Sequence, residues 1–249
     1  MQRYFLTNDQ MSATLVEITG DDASHIAKVM RMEAGSTVIC VNENERVVKV
    51  TLTDISQGKV TGHIIEEMEE ALVEMPVKVS IAQGLPKGDK LEQIVQKTTE
   101  LGASSILPFT AKRSIVKWDQ KKVSKKIERL QKIAKEAAEQ SHRSIVPEVV
   151  PPLTVTQLTQ SIGTYDLCIV CDEEEAKHGQ KSNLKQAFER LNQEMKVLVI
   201  IGPEGGLTRE ETAIFQNEGA ISCSIGPRIV RTETASSYVL AALSYQLEI

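Results

Sequence analysis

Two short glycine-proline segments constrain this chain more than anything else in it. They are Ile201-Gly202-Pro203-Glu204-Gly205-Gly206 and Ile225-Gly226-Pro227-Arg228-Ile229-Val230-Arg231-Thr232-Glu233-Thr234-Ala235. Each follows a short apolar run and precedes a stretch with helical spacing. Each therefore reads as a strand-to-helix turn of the kind that builds ligand clefts in α/β folds. The patterns G-x-x-x-x-G-K-[ST] and G-x-G-x-x-G are both absent, which excludes a P-loop and the dinucleotide fingerprint. Glycines at 202, 205, 206 and 226 let backbone approach a ligand closely, and the adjoining prolines stiffen the turns. Such loops suit a flat heterocycle held by backbone N–H and C=O groups. One alone reads as an ordinary tight turn; two at the ends of two strands point to a joint site.

Around these loops the chain falls into two regions. Residues 1–70 are β-rich with one short helix: Ser36 to Val41, Arg46 to Ile55 and Val60 to Ile65 have strand composition and are separated by turn residues. A small barrel is expected. The acidic stretch Glu66 to Ala71 lacks strand alternation and marks the expected boundary. From 71 to 249 strands and helices alternate, which implies a largely parallel sheet covered on both faces. Strands are expected at Val77 to Ala82, Ser105 to Phe109, Leu167 to Cys171, Val197 to Ile201 and Ile221 to Ile225. Asp89 caps a helix with Leu91, Ile94, Val95, Thr98 and Leu101 on one face, and Gly102 follows its end. A basic helix spans about Ser124 to Gln140, Thr208 and Glu211 form a capping box, and a final helix from Thr232 buries Val239, Leu240, Leu243 and Leu247.

At 249 residues and 41% hydrophobic the chain can bury a proper core. Its start has no basic region followed by an apolar stretch, and no segment approaches the ~20 apolar residues of a membrane span. A cytoplasmic protein without membrane contact is expected. Four cysteines include one C-x-x-C, Cys168 and Cys171, but this falls in a buried strand with no second pair, so packing thiols and no metal are expected. The net charge of -5 argues against a nucleic-acid partner, yet Lys112 to Lys135 holds ten basic residues against two acidic ones. A stripe of this kind suits phosphate backbones, and by charge alone also a solvated helix face.

The segment IGPEGGLTREE, then IGPRIVRTETA and a terminal amphipathic helix, resembles the bacterial 16S ribosomal RNA (uracil-N3)-methyltransferases of the SPOUT superfamily. The resemblance extends over the whole chain. Arg3-Tyr4-Phe5 and His25 to Arg31 resemble that family's N-terminal RNA-binding domain. Gly84-Leu85-Pro86-Lys87-Gly88-Asp89-Lys90, Gln96 to Gly102 and Glu139-Gln140-Ser141-His142-Arg143 resemble its catalytic-domain motifs. The last usually reads E-Q-S-G/C-R, so His142 departs from the pattern and receives no catalytic role for being a histidine.

The resemblance implies a PUA-like β-barrel followed by a trefoil-knotted α/β methyltransferase domain, a homodimer, and S-adenosyl-L-methionine bound in the knot, leaving S-adenosyl-L-homocysteine. The cofactor would be lined by Ile201, Gly202, Pro203, Gly205, Gly206, Ile225, Gly226, Ile229, Thr232, Thr234 and Ala235, with Val170 at the end of the neighbouring strand. The substrate implied is a uridine N3 in 16S rRNA of the small ribosomal subunit. Loss of the N3 proton spreads charge onto the flanking carbonyl oxygens, where a guanidinium can stabilise it. Arg231 is the first candidate and Arg143 the second, while Glu204 serves either as the base or as an anchor for an arginine. Contacts to RNA would come from Arg3, Arg31, Lys112, Arg113, Lys117, Lys121, Lys122, Lys125 and Lys126, with Arg228 on phosphate or on the knot. The rival readings are a ribose 2'-O-methyltransferase on the same fold and a non-catalytic RNA-binding ribosome assembly factor.

Overall fold

A computed structural model describes residues 1–56, 58–68, 73–173 and 183–249. They form two compact units, Met1–Glu74 with Ala138–Ile145, and Met75–Ala137 with Val146–Ile249. The expected boundary stretch is only partly described, since residues 69–72 lie outside the described residues. The unit division also differs from a simple cut after residue 70, because Ala138–Ile145 joins the first unit.

The first unit is a five-stranded sheet in the order β1 (Arg3–Leu6), β3 (Thr37–Asn42), β4 (Val47–Ser56), β5 (Lys59–Glu67), β2 (Leu15–Thr19). Only β1 and β3 run parallel; the remaining pairs are antiparallel. Register breaks between β4 and β5 at Lys49/Val50 and Leu52/Asp54 add local twist and curl the sheet. At the bend Gly62 lies so close to β4 that an added Cβ would sit 2.4 Å from Val50 Cγ1 and 2.8 Å from Thr51 O. Tyr4, Val16, Ile18, Val38, Cys40, Val50 and Leu52 fill the concave side, joined by Ile26 from a helical stretch that follows β2. That stretch is α1 (Gly20–Ser24), which passes into one π-helical turn at His25–Val29. Strands β1 and β2 went unread in the sequence because four or five residues carry too little alternation to stand out.

A buried cluster fixes segment 138–145 to this unit. The Arg143 guanidinium, 3% exposed, donates from Nε and Nη2 to Glu74 Oε2 at 3.1 and 2.5 Å. The backbone N–H groups of Ser144 and Ile145 donate to the other Glu74 oxygen at 2.8 and 3.2 Å. Arg3 Nη1 donates to the Arg143 carbonyl at 2.7 Å. Burial lowers the Arg3 pKa, and the Glu74 charge opposes that shift.

The second unit is a parallel sheet in the order β12 (Ile221–Cys223), β10 (Leu167–Cys171), β11 (Lys196–Ile201), β6 (Lys78–Gly84), β7 (Ser105–Thr110), β8 (Glu148–Val149), with β9 (Leu153–Thr154) also on β7. Its strands are apolar on both faces, as a sheet covered on both sides requires. Val197, Val199 and Ile201 of β11 join one core with Val239, Leu240 and Leu243 of the last helix, α7 (Thr232–Leu247). Leu198 and Ile200, pointing the other way, join a second core with Leu158 of α4 (Val155–Ser161) and Phe215 of α6 (Arg209–Asn217). A third cluster packs Leu91 and Val95 of α2 (Lys90–Glu100) on Leu130 and Ala134 of α3 (Gln120–Gln140). Helix α5 (Asn183–Phe188) adds Leu184 and Phe188 to the first of these cores. The expected elements recur with ends shifted by a few residues: α3 starts at Gln120 rather than Ser124, and β12 stops at Cys223. Among the described residues no helix is long and apolar enough to cross a membrane.

His142 has φ 59°, a left-handed conformation that costs an ordinary L-residue about 1–2 kcal/mol. A glycine or a small polar side chain suits it best. His142→Gly is expected to leave the urea midpoint unchanged or raised, whereas His142→Val, β-branched in the same conformation, should lower stability by about 1–2 kcal/mol.

Candidate functional site

Strands β10, β11 and β12 end at the same edge of the parallel sheet, where chain leaving a sheet commonly forms a ligand crevice. The turns that follow them, with the start of α7, enclose a cleft of about 530 Å³, within the usual size for a small-molecule site. Ile201, Gly202, Pro203, Glu204 and Gly206 line it from the first loop; Ile225, Gly226, Arg228, Ile229, Val230, Arg231, Thr232 and Ala235 line it from the second.

Local packing explains the glycines. A Cβ on Gly202 would sit 2.8 Å from Gly206 C and 2.9 Å from Leu207 N, so the loop folds on itself only without a side chain there. Gly84, at the end of β6, comes equally close to the same loop, since its Cβ would lie 2.6 Å from Pro203 N and Cδ. Gly226 has φ +144°. Arg113 Nη1 donates to the carbonyls of Gly205 and Leu207 at 2.9 and 3.2 Å and so braces the loop from outside. Beyond the loop, Thr208 caps α6, with Oγ1 accepting from Glu211 N at 3.2 Å. The buried Glu211 carboxylate accepts from Thr208 N at 2.8 Å and from Lys112 N at 2.7 Å.

Under both loops lies one buried polar node. Thr232 Oγ1, in the first turn of α7, donates to the Gly202 carbonyl at 2.6 Å. Gln83 Nε2, fully buried on β6, donates to Thr232 Oγ1 at 2.8 Å, Gly84 O at 3.0 Å and Gly202 O at 3.3 Å. The end of β6, the first loop and the last helix thus share one set of hydrogen bonds.

The rim is charged. Glu204 Oε1 accepts from Lys87 N at 3.1 Å and pairs with Lys90 Nζ at 3.1 Å. Partial burial pushes its carboxyl up, but hydrogen bonds from its own backbone, from Lys87 N–H and from Lys90 outweigh this and hold it below the usual carboxylate range. A carboxylate so held is a weaker base, and of the two roles left open by the sequence, base or anchor for an arginine, the structure gives it a lysine as partner. Asp172, just past β10, lies 3.6 Å from Arg209. Arg231 is the N-cap residue of α7 and is exposed at the cleft, as is Arg228.

Several candidates lie elsewhere. Val170 is wholly buried in the core, and its neighbour Cys171 reaches the cleft instead. Gly205 faces Arg113, whose Cβ would be 3.2 Å from an added Cβ, and neither it nor Thr234 is among the lining residues. Arg143 belongs to the first unit and is engaged by Glu74. Arg3 is buried there too, so it offers no surface to a phosphate; Arg31 is exposed, with φ 50°. Lys112 pairs with Glu210 at 2.7 Å, and Lys126 stands 4.7 Å over the Trp118 ring. Lys117, Lys121, Lys122 and Lys125 are exposed. Lys90 and Gln83 were missed, although Lys90 closes the quoted Gly84 to Lys90 motif; nothing in sequence distinguishes a buried strand glutamine that serves distant loops. None of the four cysteines is in a disulfide, and burial pushes Cys168 up to about 11.

An RNA methyltransferase domain model matches residues 73–244, and an RNA methyltransferase PUA domain model matches residues 18–65. The ribosomal RNA small subunit methyltransferase E of Bacillus subtilis is 47% identical over 252 residues, covering 100% of this chain and 98% of that protein. A putative methyltransferase from Legionella pneumophila, in complex with bound S-adenosylmethionine, superposes with TM-score 0.85 at 28% identity, covering 98% and 96% of the two chains. A ribosomal RNA small subunit methyltransferase E from Neisseria gonorrhoeae, bound to S-adenosylmethionine, gives TM-score 0.84 at 25% identity, covering 98% and 97%.

Because the first loop has no room for a Cβ at Gly202, Gly202→Ala is expected to lower stability by about 1–3 kcal/mol, as overpacking typically does. Gly163→Ala, where nothing lies within 4 Å, is the control and should change little in the same denaturant titration.

Proposed function

The chain belongs to the RNA methyltransferase family whose members join a PUA domain to the methyltransferase domain, and we propose that it methylates N3 of a uridine in 16S rRNA of the small ribosomal subunit, with S-adenosylmethionine as methyl donor. The observation that carries this reading is the cleft between two glycine-proline loops with Arg231 at its rim. Its volume and the two glycine-proline turns that wall it fit the cofactor. Ile201, Gly202, Pro203, Gly206, Ile225, Gly226, Ile229, Thr232 and Ala235 would hold it.

When bound, S-adenosylmethionine supplies an electrophilic methyl group on a sulfonium. The protein's part is to align the uracil nitrogen with that methyl and to favour loss of the N3 proton. Arg231, held at the start of α7 by the helix and not by an ion pair among the described residues, would place its guanidinium against the uracil carbonyls as charge develops on them. Glu204 is better suited to hold Lys90 than to accept a proton, because its pKa is depressed, so the N3 proton would leave to solvent. Arg143, engaged by Glu74 in the first unit, is left to that unit's architecture.

The substrate would be gripped by Lys117, Lys121, Lys122 and Lys125 along the start of α3 and the segment before it. The trefoil knot belongs to the proposal as well, supported by the close passage of Gly84 against Pro203. So does a homodimer: Tyr238 and Tyr245, one face of α7, are 39% and 71% exposed, an apolar stripe that a second copy could cover. A cytoplasmic location belongs to the proposal too, supported by the ribosomal RNA substrate proposed above.

Calorimetry with S-adenosylmethionine and nucleoside mass spectrometry of treated small subunits test the reading. N3-methyluridine is expected; 2'-O-methylation, or no cofactor binding, would overturn it. Arg231→Ala is expected to cost a factor of ~100 to 1,000 in the single-turnover methyl-transfer rate, as loss of a charge-stabilising donor does. Cofactor affinity should change little, and raised pH should restore part of the rate, because more N3 is then deprotonated. A defect confined to cofactor affinity would assign Arg231 to the loop's architecture. Changing Lys117, Lys121, Lys122 and Lys125 to glutamate together is expected to weaken RNA binding and flatten its salt dependence with cofactor affinity intact. Filter binding across a salt series reads both; an unchanged affinity and slope would make the stripe a solvated face.

A further inference from the structure

Lys90, the last residue of the Gly84 to Lys90 motif, has no step of its own in the methyl-transfer scheme. It opens α2, where a cation stands against the positive end of the helix dipole, so the stability of α2 does not account for it. Its ammonium lies 3.1 Å from Glu204 Oε1 and 3.2 Å from Glu233 Oε2. Those carboxylates come from different elements, one from the first loop and one from the first turn of α7. The three side chains are 29%, 29% and 18% exposed, withdrawn enough that salt screens them less than a surface pair.

We propose that Lys90 is a positioning residue of the cleft: its single ammonium clamps the first glycine-proline loop to the start of the last helix and sets the spacing of the walls that hold the cofactor. The clamp rests on the reading of this cleft as the S-adenosylmethionine site. Geometry gives it two directions of pull, since Glu204 is also tied to Lys87 N–H at the turn into α2. Without the ammonium, two carboxylates face each other across the loops with no cation between them, and like charges drive the walls apart. The other charged groups lining the cleft do not substitute. Arg113 is spent on the carbonyls of Gly205 and Leu207, Arg209 lies by Asp172, and Arg228 and Arg231 stand exposed on the second loop. The lysine also accounts for the depressed Glu204 pKa, together with the backbone donors.

The test compares Lys90→Met with Lys90→Arg, using three measurements on the full chain. One is the titration of the Glu204 carboxyl by carbon NMR without cofactor; another is amide exchange at Gly206, whose N–H closes the first loop on Pro203 O at 2.8 Å. The third is the affinity for S-adenosylmethionine by calorimetry. Lys90→Met is expected to raise the Glu204 midpoint, speed exchange at Gly206 and weaken the cofactor about tenfold, which is about 1.4 kcal/mol. Lys90→Arg, which keeps a cation able to span two carboxylates, should restore all three. Unchanged loop exchange and affinity in Lys90→Met would overturn the clamp, and so would failure of Lys90→Arg to restore them. If the parent protein does not bind S-adenosylmethionine yet the first two measurements shift and are restored, the ligand reading fails while the clamp stands.

Discussion

The carbonyl of Gly202 is the point on which the second unit's functional edge depends. It accepts from the Thr232 hydroxyl and from the Gln83 amide, which themselves bond to each other. In a buried site each such group costs about 1–3 kcal/mol if left unpaired, so the three stand or fall together. Because they come from β11's loop, α7 and β6, the node fixes three separate stretches of chain in one place. Close packing then leaves little freedom: Gly84 admits nothing between itself and Pro203, and Gly202 admits nothing between itself and Gly206. The cleft is a consequence of that closure, since its walls are the outer sides of the same turns.

Charge is arranged differently in the two units. In the first, Glu74 collects the buried Arg143 guanidinium and two backbone N–H groups, which secures residues 138–145. Breaking such a buried set leaves an uncompensated charge, so its role is structural. In the second, charged groups at the cleft stay partly wet: Lys90, Glu204, Arg228 and Arg231. These remain able to exchange partners, which a ligand site needs and an anchor does not. Arginines that look alike in the sequence therefore part company, with Arg143 and Arg3 in the anchor and Arg231 on the rim.

Much of the fold was legible because its physics is local or periodic. The capping box of Thr208 and Glu211, the apolar faces of α2 and α7 and the two-sided apolar strands β10 and β11 each announce themselves within a dozen residues. Strands β1 and β2 did not, being short edge strands with few inward positions. The basic helix was expected to end at Gln140 and Glu139 to Arg143 resembled a catalytic-domain motif; only the hydrogen bonds to Glu74, some 70 residues earlier, tie Ala138–Ile145 to the first unit. In the candidate site the loops were legible as glycine-proline turns, but the direction of each residue was not. Val170 and Cys171 alternate between core and cleft, and Gly205 turns toward Arg113 while Gly206 lines the opening.

By itself the sequence determined the two-region plan, the parallel sheet, the position of the cleft-forming turns and the basic stripe, because hydrophobic period, caps and glycine-proline turns depend on neighbours a few residues away. The tertiary structure alone decided which polar groups meet. Gln83 reaches Thr232 across 149 residues, Lys87 and Glu204 across 117, and Lys112 and Glu211 across 99. No local pattern encodes such pairs: a buried hydrogen bond is specified by where the packed elements bring its two ends, and that follows only from the closure of the whole sheet.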